Sequence, residues 1–145
     1  MRLLGILFCG IGLLTAGVPA AADEGAVKYR QKVMDAVGGT MESMVAIAKQ
    51  EVPHTAHLAV HAGNMAALAT VVSDVFPAGS GEGDTEALPE IWSEPEAFKE
   101  GLAEFIEAAR ALDAVVASGD MSGFGQALGA LGQSCKGCHE EFKAE

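Results

Sequence analysis

The sequence predicts an all-α protein, built as an antiparallel, up-down-up-down bundle of four helices. Four segments repeat apolar side chains at spacings of three and four residues, which places those side chains on one face of a helix. No segment alternates with the period of two that a half-buried strand requires. The 145 residues are enough for one domain, and aromatic residues make up only 6%, which also argues against a sheet-rich sandwich.

The first two predicted helices meet at Pro53, which ends one helix and suits an early position in the next. The apolar stripe of the first helix repeats every seven residues at Val27, Met34, Met41 and Ala48. Val37 and Met44 lie between these positions on the same face. The stripe of the second helix, which stops before Pro77, is Leu58, His61, Met65, Leu68, Val72 and Val75.

Residues 77–90 are rich in glycine and predict the one long loop. Ser93 is predicted to cap the third helix, with Pro95 and Glu96 in its first turn. The third stripe is Phe98, Leu102, Phe105, Ala109, Leu112 and Val116. After a tight turn at residues 118–120, the fourth stripe is Phe124, Leu128, Leu131, Cys135, Cys138 and Phe142.

Several glycines lie inside these predicted helices, where each costs about 1 kcal/mol relative to alanine. They are Gly38, Gly39, Gly125, Gly129 and Gly132. Two interpretations carry equal weight. The glycines let the backbone approach a large bound group, or they let two helices pack closely.

Residues 1–22 are predicted to be a secretory signal peptide. Arg2 precedes an apolar core over residues 3–14, and small residues supply a cleavage site near Ala20 to Ala22. The apolar run is too short to span a membrane, and no later segment of the sequence could span one. We therefore expect a periplasmic product whose single domain is residues 23–145. A lipid anchor at Cys9 is a weaker alternative, because the large Phe8 precedes it.

The predicted mature chain is strongly acidic. Removing the leader leaves 123 residues with 8 basic and 20 acidic side chains, a net charge of −12. A phosphate backbone would be repelled, so the sequence argues against nucleic-acid binding. Any redox partner is expected to offer a basic docking patch. The many glutamates form a solvated face and not an active site.

The motif that carries chemistry is Cys135-Lys136-Gly137-Cys138-His139, the C-x-x-C-H attachment sequence of c-type haem. Helix residues three apart share one face, so both thiols can bond to the vinyl groups of one porphyrin edge. His139 then supplies the axial iron ligand. The motif therefore predicts one covalently attached haem c per chain.

Two other interpretations of the cysteines are weaker. A redox dithiol is expected beside a βαβ pattern, which this sequence lacks. Half of a zinc site would need further ligands, and the second helix offers His54, His57 and His61 on one side. No acidic or cysteine partner lies near these histidines in the sequence. These histidines are expected to be solvated or to find hydrogen-bond partners within the bundle. His61 is not expected to bind iron.

With this motif on its last helix, the chain resembles cytochrome c′, the class II c-type cytochromes. Cytochrome c′ is itself a standard example of the up-down bundle, so the fold and family predictions are not independent. The resemblance extends from Val27 to the end of the chain. It is carried by Lys28-Tyr29-Arg30-Gln31, Pro89-Glu90-Ile91-Trp92-Ser93, Phe98-Lys99 and Ser134-Cys135-Lys136-Gly137-Cys138-His139.

The resemblance implies a haem lying lengthwise in the bundle, with His139 on one face and the first helix across the other. Arg30 then lies near a haem propionate, Gln31 lies at the haem edge, and Met34 faces the sixth coordination position. The place of Arg30 on a core-facing stripe independently predicts that a buried anion meets it. Family members are often homodimers packed through their first two helices.

Two further positions follow from the resemblance. Lys143 stands where the family often has an arginine, and lysine keeps the charge but lacks the planar fork. Thr85 and Glu86 belong to a loop that is expected near the haem edge.

Met34 separates two predicted functions. As an apolar group crowding the sixth position, it leaves a five-coordinate, high-spin iron that binds NO or CO and transfers single electrons. As a sulfur ligand, it makes a low-spin, six-coordinate electron carrier. The resemblance favours the open site. A peroxidase is not expected, because no histidine on the first helix can serve as the distal acid–base group, so we predict no enzymatic activity.

A purely structural bundle is the remaining alternative, and one covalent haem per chain would exclude it. About 123 mature residues with few aromatics make a thin core for four helices. The porphyrin is expected to complete that core, so the haem-free chain should fold poorly.

Overall fold

A computed structural model describes the backbone of residues 20–145 and the side chains from Glu24 onward. The predicted signal peptide, with Cys9, lies almost wholly outside the described residues. Within the part of the chain that is described, no helix is long and apolar enough to cross a membrane.

The described chain forms five α-helices, four of them long. They are α1 (Ala20–Ala48), α2 (Leu58–Val72), the single turn α3 (Glu90–Ser93), α4 (Pro95–Ser118) and α5 (Phe124–Phe142). Short 3-10 turns precede α2 and α5. Helix α1 packs against α2, α2 against α4, and α4 against α5. Residues 20–145 contain no strand, only an isolated bridge between Ala87 and Lys143. The predicted all-α, four-helix architecture is confirmed.

Two helix starts differ from the sequence prediction. Ser93 does not cap α4, because it closes the short helix α3, and Glu94 precedes α4 instead. Pro95 disfavours a helical conformation of the residue before it, and Glu94 accordingly leaves the helix with φ −122° and ψ 57°. Helix α2 begins at Leu58 and not near Pro53, because a 3-10 turn occupies residues 55–57.

The buried faces of α4 and α5 follow the predicted stripes, and the second stripe is confirmed at four of its six positions, Leu58, Met65, Val72 and Val75. In α2, Ala62 and Ala69 are fully buried, while the predicted His61 and Leu68 are only half-buried. Alanine at these two positions lets the neighbouring helices approach, so His61 and Leu68 lie at the flank of the buried face.

Helix α1 divides its apolar side chains between two surfaces. The core receives Val33, Val37, Met44 and Ile47, all of them buried. Met34 and Met41 are half-buried and line a cavity instead. Ala48, which the heptad pattern placed in the core, is exposed because α1 ends there. The sequence stripe therefore combined core residues with cavity residues.

Gly119 ends α4 in the left-handed conformation, with φ 74°. The Gly119→Ala variant should lower the free energy of unfolding by about 1 kcal/mol, because a Cβ is disfavoured there. Gly129→Ala is the matched control. Gly129 lies inside α5 with no atom within 4 Å of an added Cβ, so alanine should raise the stability through helix propensity. Urea unfolding measures the free energy of unfolding of both variants. Equal changes in the two variants would contradict this explanation of Gly119.

Candidate functional site

The bundle contains a cavity of about 810 Å³, a size typical of cofactor sites. Helices α1 and α5 supply most of its lining, and α4 and residues 84–87 supply much of the rest. The walls are largely apolar: Met34, Val37, Met41, Val72, Phe76, Ile91, Phe98, Leu102, Phe105 and Phe142. An apolar cavity with a few polar groups at its ends suits a large, mostly apolar cofactor.

The C-x-x-C-H motif lies in the last turns of α5, and Cys135, Cys138 and His139 all line the cavity. Their common face follows directly from the helical spacing. Both cysteines are free thiols and half-buried. Burial raises the pKa of Cys135, and burial with the neighbouring Cys135 and Glu141 raises the pKa of Cys138 to about 11. A redox-active dithiol needs a lowered thiol pKa, so that interpretation is disfavoured.

Helix α1 runs antiparallel to α5 across the cavity. The loop between α2 and α3 contacts Arg30, near the start of α1, and also Phe142, the last residue of α5. Further along, a Cβ built on Gly132 would lie 3.5 Å from Cε of Met41, so these two residues are level. The two contacts together define the register of the facing walls.

This register brings Met34 level with His139. Met34 precedes Met41 by seven residues, and His139 follows Gly132 by seven, a shift of about 10 Å on each helix in the same direction. Both residues line the cavity. The structure therefore places Met34 on the wall that faces the α5 motif.

Arg30 is buried at one end of the cavity, with only 3% of its surface exposed. Nη1 donates a hydrogen bond to Oγ of Ser80 at 2.9 Å, and Nη2 donates to the Ser80 carbonyl at 2.9 Å and to Oγ1 of Thr85 at 2.8 Å. The guanidinium also lies over the rings of Phe76 and Trp92, 5.1 and 5.9 Å from their centres. The loop thus wraps the cation on several sides.

All three acceptors of Arg30 are electrically neutral. Among the ion pairs of the described side chains, none involves Arg30. Burial lowers the pKa of Arg30, and no carboxylate of the described chain opposes that shift. A buried cation without an anionic partner is costly. Because Arg30 also lines the cavity, this end of the cavity is suited to an anion.

Thr85 has a hydrogen-bonding role that the sequence did not specify. Its Oγ1 accepts hydrogen bonds from Nη2 of Arg30 at 2.8 Å and from the backbone N–H of Ala87 at 3.1 Å. A hydroxyl accepts two hydrogen bonds and donates one, so the Thr85 proton remains to be donated. Thr85 lines the cavity beside Arg30, and the two side chains offer donors at the same end.

The loop reaches Arg30 because it packs closely on Trp92. A Cβ on Gly81 would lie 2.8 Å from a ring carbon of Trp92, so only glycine fits there without a shift. Nε1 of Trp92 donates to the Pro77 carbonyl at 3.1 Å. Nε2 of Gln31 donates to the Asp84 carbonyl at 2.9 Å, at the exposed rim of the cavity.

The end of α5 is tied to the same loop. Lys143 pairs with Glu86 at 2.8 Å, and the Leu88 N–H donates to the Phe142 carbonyl at 3.0 Å. His139 lies one turn before this junction. Partial burial, with Lys143 nearby, lowers the pKa of His139.

The glycines predicted inside helices do not share one explanation. A Cβ on Gly132 would lie in ordinary van der Waals contact with Met41 of α1, so this contact does not require glycine. Gly38 lines the cavity and has no atom within 4 Å of an added Cβ, so helix packing does not explain it. Gly39, Gly125 and Gly129 are exposed and do not line the cavity, and nothing in the structure explains them.

His54, His57 and His61 do not belong to the cavity. The rings of His54 and His57 stack with centres 4.9 Å apart and planes 16° apart. Within residues 20–145, no group of three or more His, Cys, Asp or Glu side chains is placed to hold a metal ion. The zinc interpretation of these histidines therefore has no support in the described structure.

Comparison with known proteins gives consistent findings. A sequence profile of the family described as Cytochrome C' matches residues 25–143. Cytochrome c' of Pararhodospirillum photometricum is 39% identical over 124 residues, covering 85% of this chain and 99% of the relative. Cytochrome c prime from Shewanella frigidimarina superimposes with a TM-score of 0.81 at 35% identity, covering 85% of this chain and 97% of that one. A nitric oxide complex of a cytochrome c prime variant from Alcaligenes xylosoxidans superimposes with a TM-score of 0.78 at 29% identity, covering 85% of this chain and 96% of that one.

Proposed function

Because this chain belongs to the cytochrome c′ family, whose proteins carry covalently bound haem c, we propose that it is a periplasmic haem protein with a five-coordinate, high-spin iron. Its ligands are small gases, NO and CO. When bound, the haem supplies an iron centre that takes a diatomic ligand or exchanges one electron. The fold shared with a protein solved as a nitric oxide complex supports the choice of ligand.

The residues of this chain fit that cofactor in three ways. Cys135 and Cys138 lie on one helix face, where their sulfurs would hold the porphyrin by thioether bonds, and His139 would bind the iron. Arg30 and Thr85 line the cavity and keep donors that no acceptor of the described chain uses, and a haem propionate would supply the anion that Arg30 lacks. Gln31 lies at the cavity rim and marks the haem edge.

The observation that carries the open-site proposal is the wall opposite the motif. At the level of His139 the apolar part of this wall is Met34, with Val37 and Gly38 beside it, while the polar lining residues Lys32 and Asp35 are exposed and paired with each other. Among the apolar side chains only the Met34 thioether has the chemistry of an iron ligand. An apolar wall of this kind excludes water and polar anions while admitting small neutral gases.

The same position of Met34 favours a second candidate function. A thioether level with His139 is the sixth ligand of a low-spin iron if its sulfur reaches the metal. The protein would then be a six-coordinate electron carrier, closed to gas. The two functions differ in the spin state of the resting iron.

The Met34→Ala variant separates these functions by visible absorption. Under the open-site proposal, the purified protein is high-spin and binds CO when reduced, and Met34→Ala leaves the ferrous spectrum five-coordinate. Under the second, the ferric protein shows a methionine–iron charge-transfer band, and Met34→Ala converts low-spin to high-spin. Met121→Ala is the control, because Met121 is exposed and does not line the cavity. A low-spin resting protein would reject the open-site proposal.

The wall also argues against a peroxidase. Cleavage of an O–O bond needs a distal acid–base group, usually histidine. Met34, the α1 side chain level with His139, is apolar, and its neighbour Asp35, which also lines the cavity, is exposed and paired with Lys32 at 2.8 Å. We therefore propose that the protein binds ligands or electrons without enzymatic turnover.

The proposal extends to export and partners. Residues 1–22 are the leader, and residues 23–145 are the periplasmic domain. A mature charge of −12 favours a redox partner with a basic patch. Tyr29 of α1 and Val60 of α2 are large apolar side chains that are 59% and 62% exposed, which supports a homodimer packed through these two helices.

A further inference from the structure

Gly38 is a cavity residue without a side chain, in the middle of the wall that α1 presents to α5. Its neighbours on that wall are Met34, four residues before it, and Met41, three residues after it, so the three share one helix face. The wall therefore has a gap at Gly38, where no side chain is present, with the side chains of Met34 and Met41 on either side of it.

The gap lies beside Met34. Side chains of an α-helix lean toward its N-terminus, so a side chain at position 38 would cover the turn that contains Met34. The register places Met34 level with His139 and Gly38 level with Cys135. The missing side chain thus leaves space next to the level of the axial ligand, on the opposite wall.

The protein itself does not require glycine at this position. No atom lies within 4 Å of a Cβ built on Gly38, and no positive φ is recorded there. A glycine in a helix interior is unfavourable relative to alanine. Gly39 carries the same penalty and the same open surroundings, but it does not line the cavity. Position 38 therefore differs from position 39 in its place on the cavity wall.

We propose that Gly38 determines which gas ligands this protein accepts and how fast they enter, by leaving room beside Met34 on the open side of the iron. The inference rests on the proposed open-site function and deepens it. Met34 limits the pocket from one side, and Gly38 provides the space into which a diatomic ligand, or the displaced Met34 side chain, fits. A larger residue at position 38 fills that space.

The test uses the haem-loaded protein and the variants Gly38→Ala, Gly38→Val and Gly39→Ala. Association of CO and of the bulkier ethyl isocyanide with the ferrous protein is followed by stopped-flow absorption. Covalent haem per chain and the urea midpoint are measured for each variant. We expect Gly38→Ala to slow CO association by about tenfold, the effect of one added methyl group in an apolar pocket. Gly38→Val should slow it further, and both should affect ethyl isocyanide more than CO.

The control separates pocket size from helix propensity. Gly39→Ala should raise the urea midpoint of the holo protein while leaving both association rates within about twofold of wild type. Equal association rates for Gly38→Ala and Gly39→Ala would overturn the inference. Loss of covalent haem in Gly38→Ala alone would also overturn it, because Gly38 would then serve to seat the porphyrin. A low-spin wild-type protein that binds no CO is a failure of the proposed function, and it is seen before any variant is made.

Discussion

The Cys135→Ala/Cys138→Ala double variant is expected to lose covalent haem and to unfold. The free energy of unfolding should fall by about 5 kcal/mol or more, a large part of the total for a domain of this size. Without a covalently held porphyrin, the apolar walls around a cavity of about 810 Å³ face water. Arg30 and Thr85 also lose the anion that their donors are placed to bind. Far-ultraviolet circular dichroism during urea unfolding measures the loss.

Two controls make this result specific. Gln133→Ala changes an exposed residue of α5 that does not line the cavity, and it should leave both haem content and stability unchanged. The single variant Cys135→Ala keeps one thioether and His139, so it should retain haem and lie between wild type and the double variant. A haem-free double variant with wild-type helicity and urea midpoint would show that the four helices form a complete core by themselves.

Replacing Arg30 should give the second large effect. Arg30→Met removes three hydrogen bonds and leaves both oxygens of the buried Ser80 without a donor, while Oγ1 of Thr85 keeps the Ala87 N–H. We expect the free energy of unfolding of the holo protein to fall by about 3–5 kcal/mol. The haem should remain attached, because the thioethers lie on the other side of the cavity. Urea unfolding is followed by circular dichroism, which measures the stability of the helices, and at the Soret absorption band, which shows whether the haem is still bound.

The remaining described arginine supplies the comparison. Arg110 is exposed on α4, so Arg110→Met should change stability by less than about 0.5 kcal/mol. Arg30→Lys keeps the charge but cannot place donors on both Ser80 oxygens and Thr85 at once, so it should recover only part of the loss. If Arg30→Met matched Arg110→Met, the buried guanidinium would not be what holds the loop to α1.

Much of the fold was predictable from local pattern alone. The spacing of three and four residues between Leu102, Phe105 and Ala109 predicted the buried face of α4. The same spacing predicted the buried face of α5. Apolar residues at this period can be buried together only in a helix, so the prediction needs no tertiary information. The shared face of Cys135 and Cys138 is of the same kind, because helical geometry alone places residues three apart on one side.

Only the tertiary structure decided which polar groups meet. Arg30 bonds to residues 50 and 55 positions away in a loop of irregular conformation, and no periodicity encodes such a contact. The burial of Ala62 and Ala69 in place of His61 and Leu68 depended likewise on how closely the neighbouring helices pack.

The glycines show the same division. In sequence Gly38 and Gly132 look alike. Only the packed bundle shows that Gly38 lines the cavity whereas Gly132 contacts Met41. The sequence by itself determined the helices and the haem attachment motif, because both depend on spacing along one helix. Which residues surround the haem was decided by the tertiary structure, because contacts between distant segments depend on how the helices pack.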